Sequence, residues 1–137
     1  MDELISRQMP HSVEAEQAVL GSILIDERCI PQVVEHLRPA DFYLRQNREI
    51  FETVCSMFNY SETIDPVTVL DKMKQTGVYD EATSYDYIRQ LMVVTPTAAN
   101  VEQYIGIVKD KALLRQVAET AGTITALVQE GTATAQE

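Results

Sequence analysis

The stretch PHSVEAEQAVLGSILID, from Pro10 to Asp26, decides the fold class of this chain. Ser12 is a good N-cap residue, and Glu14 and Glu16 follow in the first turn, where they favour the positive end of the helix dipole. Apolar residues then recur three and four positions apart, as on one face of a helix. These residues are Val13, Ala15, Val19, Leu20, Ile23 and Leu24. The stretch therefore predicts an α-helix with a broad apolar face.

Gly21 lies in the middle of this apolar run. A glycine inside a helix costs about 1 kcal/mol relative to alanine, so the position needs a structural reason. We predict that the missing side chain lets another helix approach the first one closely.

Helix signals recur along the rest of the chain. Residues 30–39 give a short helix with Pro31 in its first turn, and residues 44–60 give a helix whose apolar stripe includes Phe51 and Phe58. The segment 65–77 begins with an Asp-Pro cap and ends at a glycine, and Ser84 opens a further helix. No segment shows period-two alternation between turn signals. The prediction is an all-α fold.

The longest helical pattern runs from about Ala98 to Gln129, with Gly131 as its stop. A helix of this length spans ~48 Å, more than a compact domain of this size can hold against its core. A break could fall near Lys109 to Lys111. We expect a compact multi-helix head over residues 1–97, followed by a long helix over residues 98–137.

The long helix carries an apolar seam at Val117, Ala121, Ile124 and Val128. Their 4-3-4 spacing is typical of a coiled coil. Three arrangements would cover this seam: a helix of a partner chain, chain beyond Glu137, or the head itself if the long helix folds back. In the last case the seam would be ordinary core.

The charge balance argues against nucleic-acid binding by this chain. It has 11 basic and 21 acidic residues, a net charge of −10. Non-specific binding to DNA or RNA depends on Lys and Arg that neutralise phosphates. Lys109, Lys111 and Arg115 come nearest to a basic cluster, and we interpret them as a solvated helix face of mixed charge.

Motifs of catalysis, nucleotide binding and metal binding are missing from the sequence. There is no GxxxxGK[ST] or GxGxxG loop, no HExxH and no GxSxG. Cys29 and Cys55 lie in apolar segments and are expected to be buried free thiols in a reducing cytoplasm. His11 and His36 lack a neighbouring ligand at metal-binding spacing. The acidic N-terminus has no apolar region of a secretory signal, and no run of 18 apolar residues is present.

Tyr85 and Tyr87 lie two residues apart at a helix start, so their side chains cannot face the same way. We expect one of them to pack inside and the other to be a contact residue for a partner.

Four segments, in order, resemble the N-terminal domain of DnaB-type replicative DNA helicases. They are PHSVEAEQAVLGSIL (residues 10–24), LRPADFY (37–43), IDPVTVLDKM (64–73) and VTPTAANVEQYIGIVKDKALLRQV (94–117). The resemblance implies a collar domain of a ring-shaped hexamer, in which dimers assemble as a trimer through helical hairpins. The long helix would be the first arm of such a hairpin, truncated here.

The resemblance also implies the partners. The collar carries part of the docking site for primase, and a helicase loader is a further expected partner, all in the cytoplasm. The unwinding motor of the family, with its ATP and magnesium, lies in a C-terminal domain that this chain does not include. We therefore expect no enzyme activity, no catalytic residue, no cofactor and no metal in this chain, and little direct nucleic-acid binding.

Family positions linked to coupling between collar and primase match Glu14, Tyr87 and Ile124. The loop before Tyr87 reads DEATSYDY and lacks the Gly-Gly that family members often carry there. Two other readings stay open: a stand-alone adaptor that binds an amphipathic helix in a groove, and a helical nucleic-acid-binding domain.

Overall fold

The computed structural model describes residues 9–131 and residue 135. Two expectations fall mostly on residues outside this range, namely that the N-terminus carries no secretory signal and that the small, polar tail EGTATAQE (residues 130–137) frays.

The described residues fold into six α-helices joined by short turns. The helices are α1 (Val13–Ile25), α2 (Ile30–His36), α3 (Arg45–Asn59), α4 (Pro66–Thr76), α5 (Ser84–Val94) and α6 (Val101–Glu130). Two 3-10 turns, Glu27–Cys29 and Pro39–Asp41, lie on either side of α2. No strand occurs among the described residues, so the all-α prediction is confirmed.

Local signals in the sequence placed most helix ends correctly. The Ser12 hydroxyl accepts a hydrogen bond from the Ala15 amide at 3.1 Å. The Asp65 carboxylate accepts one from the Thr68 amide at 2.8 Å, and the Thr68 hydroxyl accepts one from the Asp65 amide at 2.9 Å. These bonds satisfy amides that the first turn of a helix leaves without a partner, and they fix the starts of α1 and α4.

The central helix of the head is α1, which packs against α3, α5 and α6. At the crossing with α5, a side chain on Gly21 would collide with its neighbours. An added Cβ would lie 2.7 Å from the Thr95 Cβ, and closer still to the Thr95 hydroxyl and the Leu91 carbonyl oxygen. The predicted close approach of another helix at Gly21 is confirmed.

The Thr95 hydroxyl is buried at this crossing without a hydrogen-bond partner among the described residues. It faces the Gly21 backbone. The hydroxyl thus occupies the space that a side chain at position 21 would fill.

The long helix α6 has two different halves. Its first half packs on the head through one stripe of buried residues: Val101, Ile105, Val108, Ala112 and Arg115. Every residue from Gln116 to Glu130 is exposed, and we call this half the distal segment. The alternative in which the helix folds back on the head is therefore wrong.

The helix is continuous through Lys109 to Lys111, so no break occurs there. It starts at Val101, three residues later than predicted. The Thr97 hydroxyl accepts a hydrogen bond from the Ala99 amide at 3.1 Å, and this local turn competes with helix at Ala98 to Asn100.

The aromatic core is smaller than the sequence pattern predicted. Phe42 and Phe51 are fully buried, with ring centroids 4.8 Å apart. Phe58 is 37% exposed, so its assignment to the core is wrong. It lies in the last turn of α3, where it lines two surface clefts.

In the described part of the chain, no helix is long and apolar enough to cross a membrane.

Candidate protein-interaction site

The predicted seam of the long helix is open to solvent. Val117 is 65%, Ile124 56% and Val128 71% exposed, and Ala121 is exposed as well. Together with Leu113 and Thr120, three of them line a shallow and mainly apolar cleft of about 450 Å³. The structure thus brings the four seam residues onto one uncovered face.

This exposed face is longer than the sequence pattern indicated. Four more large apolar residues are exposed along α6: Ile107, Leu113, Leu114 and Leu127. The predicted seam began at Val117, although Ile107 and Leu114 continue its seven-residue period towards the head; Leu113 and Leu127 flank it. We call these four residues, together with the four seam residues, the apolar strip. From Ile107 to Val128 the strip is about 32 Å long.

The seam faces away from the side of α6 that packs on the head. Val101 begins the stripe that packs on the head, and Val117 begins the seam 16 positions later. At 100° per residue, these two residues lie about 160° apart around the helix axis. The seam is therefore not a continuation of the head's core.

Charge is nearly absent from the distal segment, although the whole chain carries −10. Its only charged residues are Glu119 and Glu130. Another helix can therefore pack along this segment with little desolvation of charge and little like-charge repulsion.

Tyr87 belongs to a hydrogen-bonded chain inside the head. Its hydroxyl donates to the Asn47 amide oxygen and accepts a bond of 3.5 Å from the Gln17 amide. The Asn47 amide nitrogen donates to the Glu16 carboxylate at 2.9 Å. Burial raises the pKa of Tyr87 above its usual value. Tyr87 is thus the packed member of the tyrosine pair, and Tyr85 is the exposed one.

The Tyr87 ring still reaches a surface cleft of about 580 Å³ between α3, the end of α4 and the start of α5. Arg45 and Tyr79 also line this cleft. Its lining mixes apolar and polar side chains, as a protein contact site requires.

Glu16 has a structural role that the sequence pattern did not reveal. Its carboxylate is buried and accepts hydrogen bonds from the amides of Tyr43 at 2.7 Å and Leu44 at 3.3 Å. These amides belong to the two residues before α3, and Leu44, its N-cap residue, has no side-chain oxygen. Glu16 thus fixes the entry into α3 from a different helix. The unsuitable cap residue Leu44 was the signal that a distant acceptor is needed.

Glu14, two residues earlier, is exposed on the first turn of α1. The three carried-over positions lie on three elements, with Glu14 on α1, Tyr87 on α5 and Ile124 in the distal segment. Among the described residues, no hydrogen bond or ion pair joins these side chains.

Arg115 was interpreted as part of a solvated face, and that interpretation is wrong. The side chain is buried, and its guanidinium donates to the carbonyl oxygens of Pro10 at 2.8 Å and Asp41 at 2.7 Å. It also lies over the Tyr43 ring, 5.4 Å from the centroid. The spacing of Arg115 continues the buried stripe of α6, so its long side chain reaches into the head. Lys109 remains half-exposed and forms an ion pair with Asp41 at 3.6 Å.

The thiols of Cys29 and Cys55 are free and half-buried rather than fully buried. Burial raises the pKa of each thiol to about 11. Both are protonated at neutral pH and are weak nucleophiles and metal ligands. The described residues contain no group of three His, Cys, Asp or Glu side chains arranged for a metal ion.

Comparison with known proteins places these features in a family. Residues 8–110 match the family described as the DnaB-like helicase N terminal domain. The chain is 37% identical over 132 residues to the replicative DNA helicase DnaB of Geobacillus stearothermophilus, covering 96% of this chain and 28% of that protein. It is also 37% identical over 134 residues to the DnaB of Mycobacterium leprae, covering 98% of this chain and 22% of that protein.

Solved structures agree with this match. The crystal structure of the N-terminal domain of DnaB helicase from Mycobacterium tuberculosis superposes with a TM-score of 0.86 at 33% identity, covering 93% of this chain and 89% of that one. The N-terminal domain of the Helicobacter pylori DnaB helicase, described with its interactions with primase, gives a TM-score of 0.73 at 24% identity over 85% and 90% of the two chains. At that identity the likeness shows the fold alone.

The chain spans about a quarter of the length of the curated relatives that it matches. The match of residues 8–110 and the identity of 33% over nearly the whole of a solved N-terminal domain point to the same conclusion. The chain belongs to the family of DnaB-like helicase N-terminal domains.

Proposed function

We propose that this chain is the N-terminal collar domain of a replicative hexameric DNA helicase, which assembles the subunits and docks primase during DNA replication. The observation that carries the proposal is the exposed apolar strip of α6 in a member of this family. ATP-driven unwinding, with ATP and magnesium, is assigned to the part of the relatives that this chain does not match. The chain itself then has no enzyme activity.

The apolar strip supports the assembly role. Monomeric proteins rarely expose a long contiguous row of apolar side chains, and such rows mark contacts with other proteins. A helix with one apolar face and almost no charge buries that face against another helix. We assign residues 1–97 to the head and residues 98–137 to the first arm of a helical hairpin.

A second copy of the chain is the proposed partner of the seam formed by Val117, Ala121, Ile124 and Val128. Homo-oligomers most often form by two-fold contacts in which the same surface occurs on both sides. The low charge of the distal segment allows such self-pairing. In the intact helicase, three of these dimers would make the hexameric collar.

Primase is the proposed second partner. The relative from Helicobacter pylori is described with its interactions with primase, which supports primase binding here. Glu14 on the exposed first turn of α1 and Tyr87 beside its surface cleft are the proposed contact residues. A helicase loader would be a further partner, and the cytoplasm is the proposed location.

Sedimentation velocity at micromolar concentrations tests the assembly role. We expect dimers or larger species for the wild-type chain and monomers for Ile124→Glu, because a carboxylate in the seam would be buried unpaired. Ala126→Glu is the matched control, since it adds the same charge to the distal segment on the side away from the seam. It should assemble like the wild type.

A wild-type chain that stays monomeric at every concentration would contradict self-pairing of this chain and favour the adaptor alternative.

Titration calorimetry with primase then tests docking separately. Glu14→Ala and Tyr87→Ala should weaken primase binding while assembly stays unchanged, and unchanged binding would remove both residues from the proposal. Filter binding of single-stranded DNA at low salt should show little retention, whereas strong retention would favour the nucleic-acid-binding alternative.

A further inference from the structure

The joint between the head and the distal segment is built around one buried cation. Four apolar residues of α6 contact the head, and Arg115 is the last buried residue of that stripe. Beyond it, every residue to Glu130 is exposed. Arg115 is thus the final point at which the head holds the helix.

We propose that Arg115 sets the direction in which α6 leaves the head, and so positions the apolar strip for its partner. Only this consequence for assembly rests on the proposed function. The role of Arg115 in fixing the helix direction stands on the contacts of the joint alone.

The contacts of Arg115 tie three separate segments together. One nitrogen donates to the Pro10 carbonyl, in the segment before α1, and the other donates to the Asp41 carbonyl, at the end of a 3-10 turn. The guanidinium also lies over the Tyr43 ring, and His11 stacks on that ring with centroids 4.2 Å apart. A planar guanidinium whose donors bond two fixed carbonyls is held in both distance and orientation.

Apolar contacts alone would not fix the direction equally well. Val108 and Ala112 are the nearest buried neighbours of Arg115 on the stripe, and both have short side chains. Dispersion contacts are non-directional, whereas the two hydrogen bonds require a particular geometry. Among the described residues, no carboxylate lies within 4.0 Å of the guanidinium, so the two carbonyls and the ring compensate its charge.

A small change of helix direction at Arg115 produces a large displacement at the end of the distal segment. Val128 lies 13 residues beyond Arg115, or about 20 Å along the helix. A tilt of about 10° at Arg115 would move Val128 by about 3.5 Å, more than half of the 5.4 Å helix pitch. Side chains that interdigitate with a partner helix would then lose their register.

Spin labels measure the direction of the helix. One label is placed at Gln90→Cys on α5 and one at Ala126→Cys on the distal segment, with Cys29 and Cys55 replaced by serine. Both labelled positions are exposed, and Ala126 lies off the seam. The labelled chain is mixed with a tenfold excess of unlabelled chain, and double electron–electron resonance gives the distance distribution within one chain.

We expect one narrow distribution for this labelled parent chain. Arg115→Met keeps an unbranched side chain of similar volume but no donor, and it should at least double the width of the distribution. Arg115→Lys keeps the charge but has no planar fork, and it should also broaden the distribution. Lys109→Met is the matched control, because it removes the other α6 cation that contacts Asp41, and it should leave the distribution narrow.

An unchanged narrow distribution in Arg115→Met would overturn the proposal. If Arg115→Met fails to fold by circular dichroism, Arg115→Lys decides in the same way. Equal broadening by Lys109→Met would also overturn it, since the direction would then depend on the charges around Asp41 rather than on the guanidinium.

Discussion

The two halves of α6 share one apolar pattern and have opposite surroundings. Val101, Ile105, Val108 and Ala112 are spaced 4-3-4, and so are Val117, Ala121, Ile124 and Val128. The first set is buried against the head, and the second set is exposed. The periodic pattern thus reports only that a helix has a face to cover. Which neighbour covers that face is decided by tertiary structure.

The largest expected difference in the free energy of unfolding is between alanine substitutions at two isoleucines of α6. Ile105→Ala should lower the free energy of unfolding by about 3 kcal/mol, because it leaves a cavity against the head. Ile124→Ala should change it by less than about 0.5 kcal/mol, because its side chain is exposed. Urea unfolding at a concentration where the chain is monomeric measures both values. Equal losses would mean that the distal segment is also covered within the monomer.

A pair of glycines sharpens the contrast between packed and open helix surface. Gly21→Ala should destabilise the fold by about 2 kcal/mol, since a Cβ meets the Thr95 side chain and the Leu91 carbonyl. Gly122→Ala in the distal segment meets nothing within 4 Å and should stabilise the helix by up to about 1 kcal/mol. Melting temperatures followed by circular dichroism should therefore move in opposite directions. A stabilised Gly21→Ala would show that α5 can move away from α1.

Two acidic residues of α1 provide the next comparison. Glu16→Gln should cost about 1.5 kcal/mol, because one acceptor oxygen of the buried carboxylate becomes an NH₂ donor that faces the Tyr43 amide or the Asn47 side chain. Glu14→Gln is the matched control on the exposed first turn and should cost about 0.5 kcal/mol or less. Urea denaturation of both variants gives the values. A negligible effect of Glu16→Gln would show that α3 does not depend on this carboxylate.

The smallest expected effect is on the alkylation rate of the two thiols. It does not change the free energy of unfolding at neutral pH. Burial raises the pKa of Cys29 and Cys55 to about 11, so at pH 8 their thiolate fraction is far below that of an exposed thiol. Alkylation by iodoacetamide at pH 8 should be at least about tenfold slower than at a cysteine introduced by Gln129→Cys in the distal segment. Equal rates would contradict the burial of the native thiols.

The raised pKa values of the two thiols also predict how the free energy of unfolding changes with pH. A pKa raised in the folded state means that the fold favours the protonated thiol. The part of the free energy of unfolding that comes from the protonated thiols is fully present below about pH 9. It is lost as the pH rises towards 11. Replacement of both cysteines by serine should remove this part of the alkaline loss in urea titrations at pH 8 to 10.

Features with a local cause were predictable from the sequence. Ser12, Asp65 and Gly77 mark helix ends through bonds within a few residues, so they could be read without any tertiary information. The reason for Gly21 was also inferred correctly, since a glycine in a helix has few explanations. The four seam residues were found because they share one helix period.

Features that depend on distant partners were missed. Glu16 and Leu44 are 28 positions apart, and Arg115 and Pro10 are 105 positions apart. Nothing in the local pattern tells a buried glutamate or arginine from a solvated one, because both are surface types by default. Tyr85 and Tyr87 are a similar case. The sequence indicated that their side chains face different ways, but it did not indicate which of the two faces the core.

The bonds that Glu16 makes at the entry to α3 have a consequence for how this domain folds. The amides of Tyr43 and Leu44 and the Asn47 side chain find their acceptor only when α1 has formed and docked, so neither helix reaches its full stability alone. The two helices therefore form and open together as one cooperative unit. In native-state hydrogen exchange, the amide protons of Tyr43 and Leu44 will exchange at the rate at which α1 detaches, and they will report the opening of the head from the turn that leads into another helix.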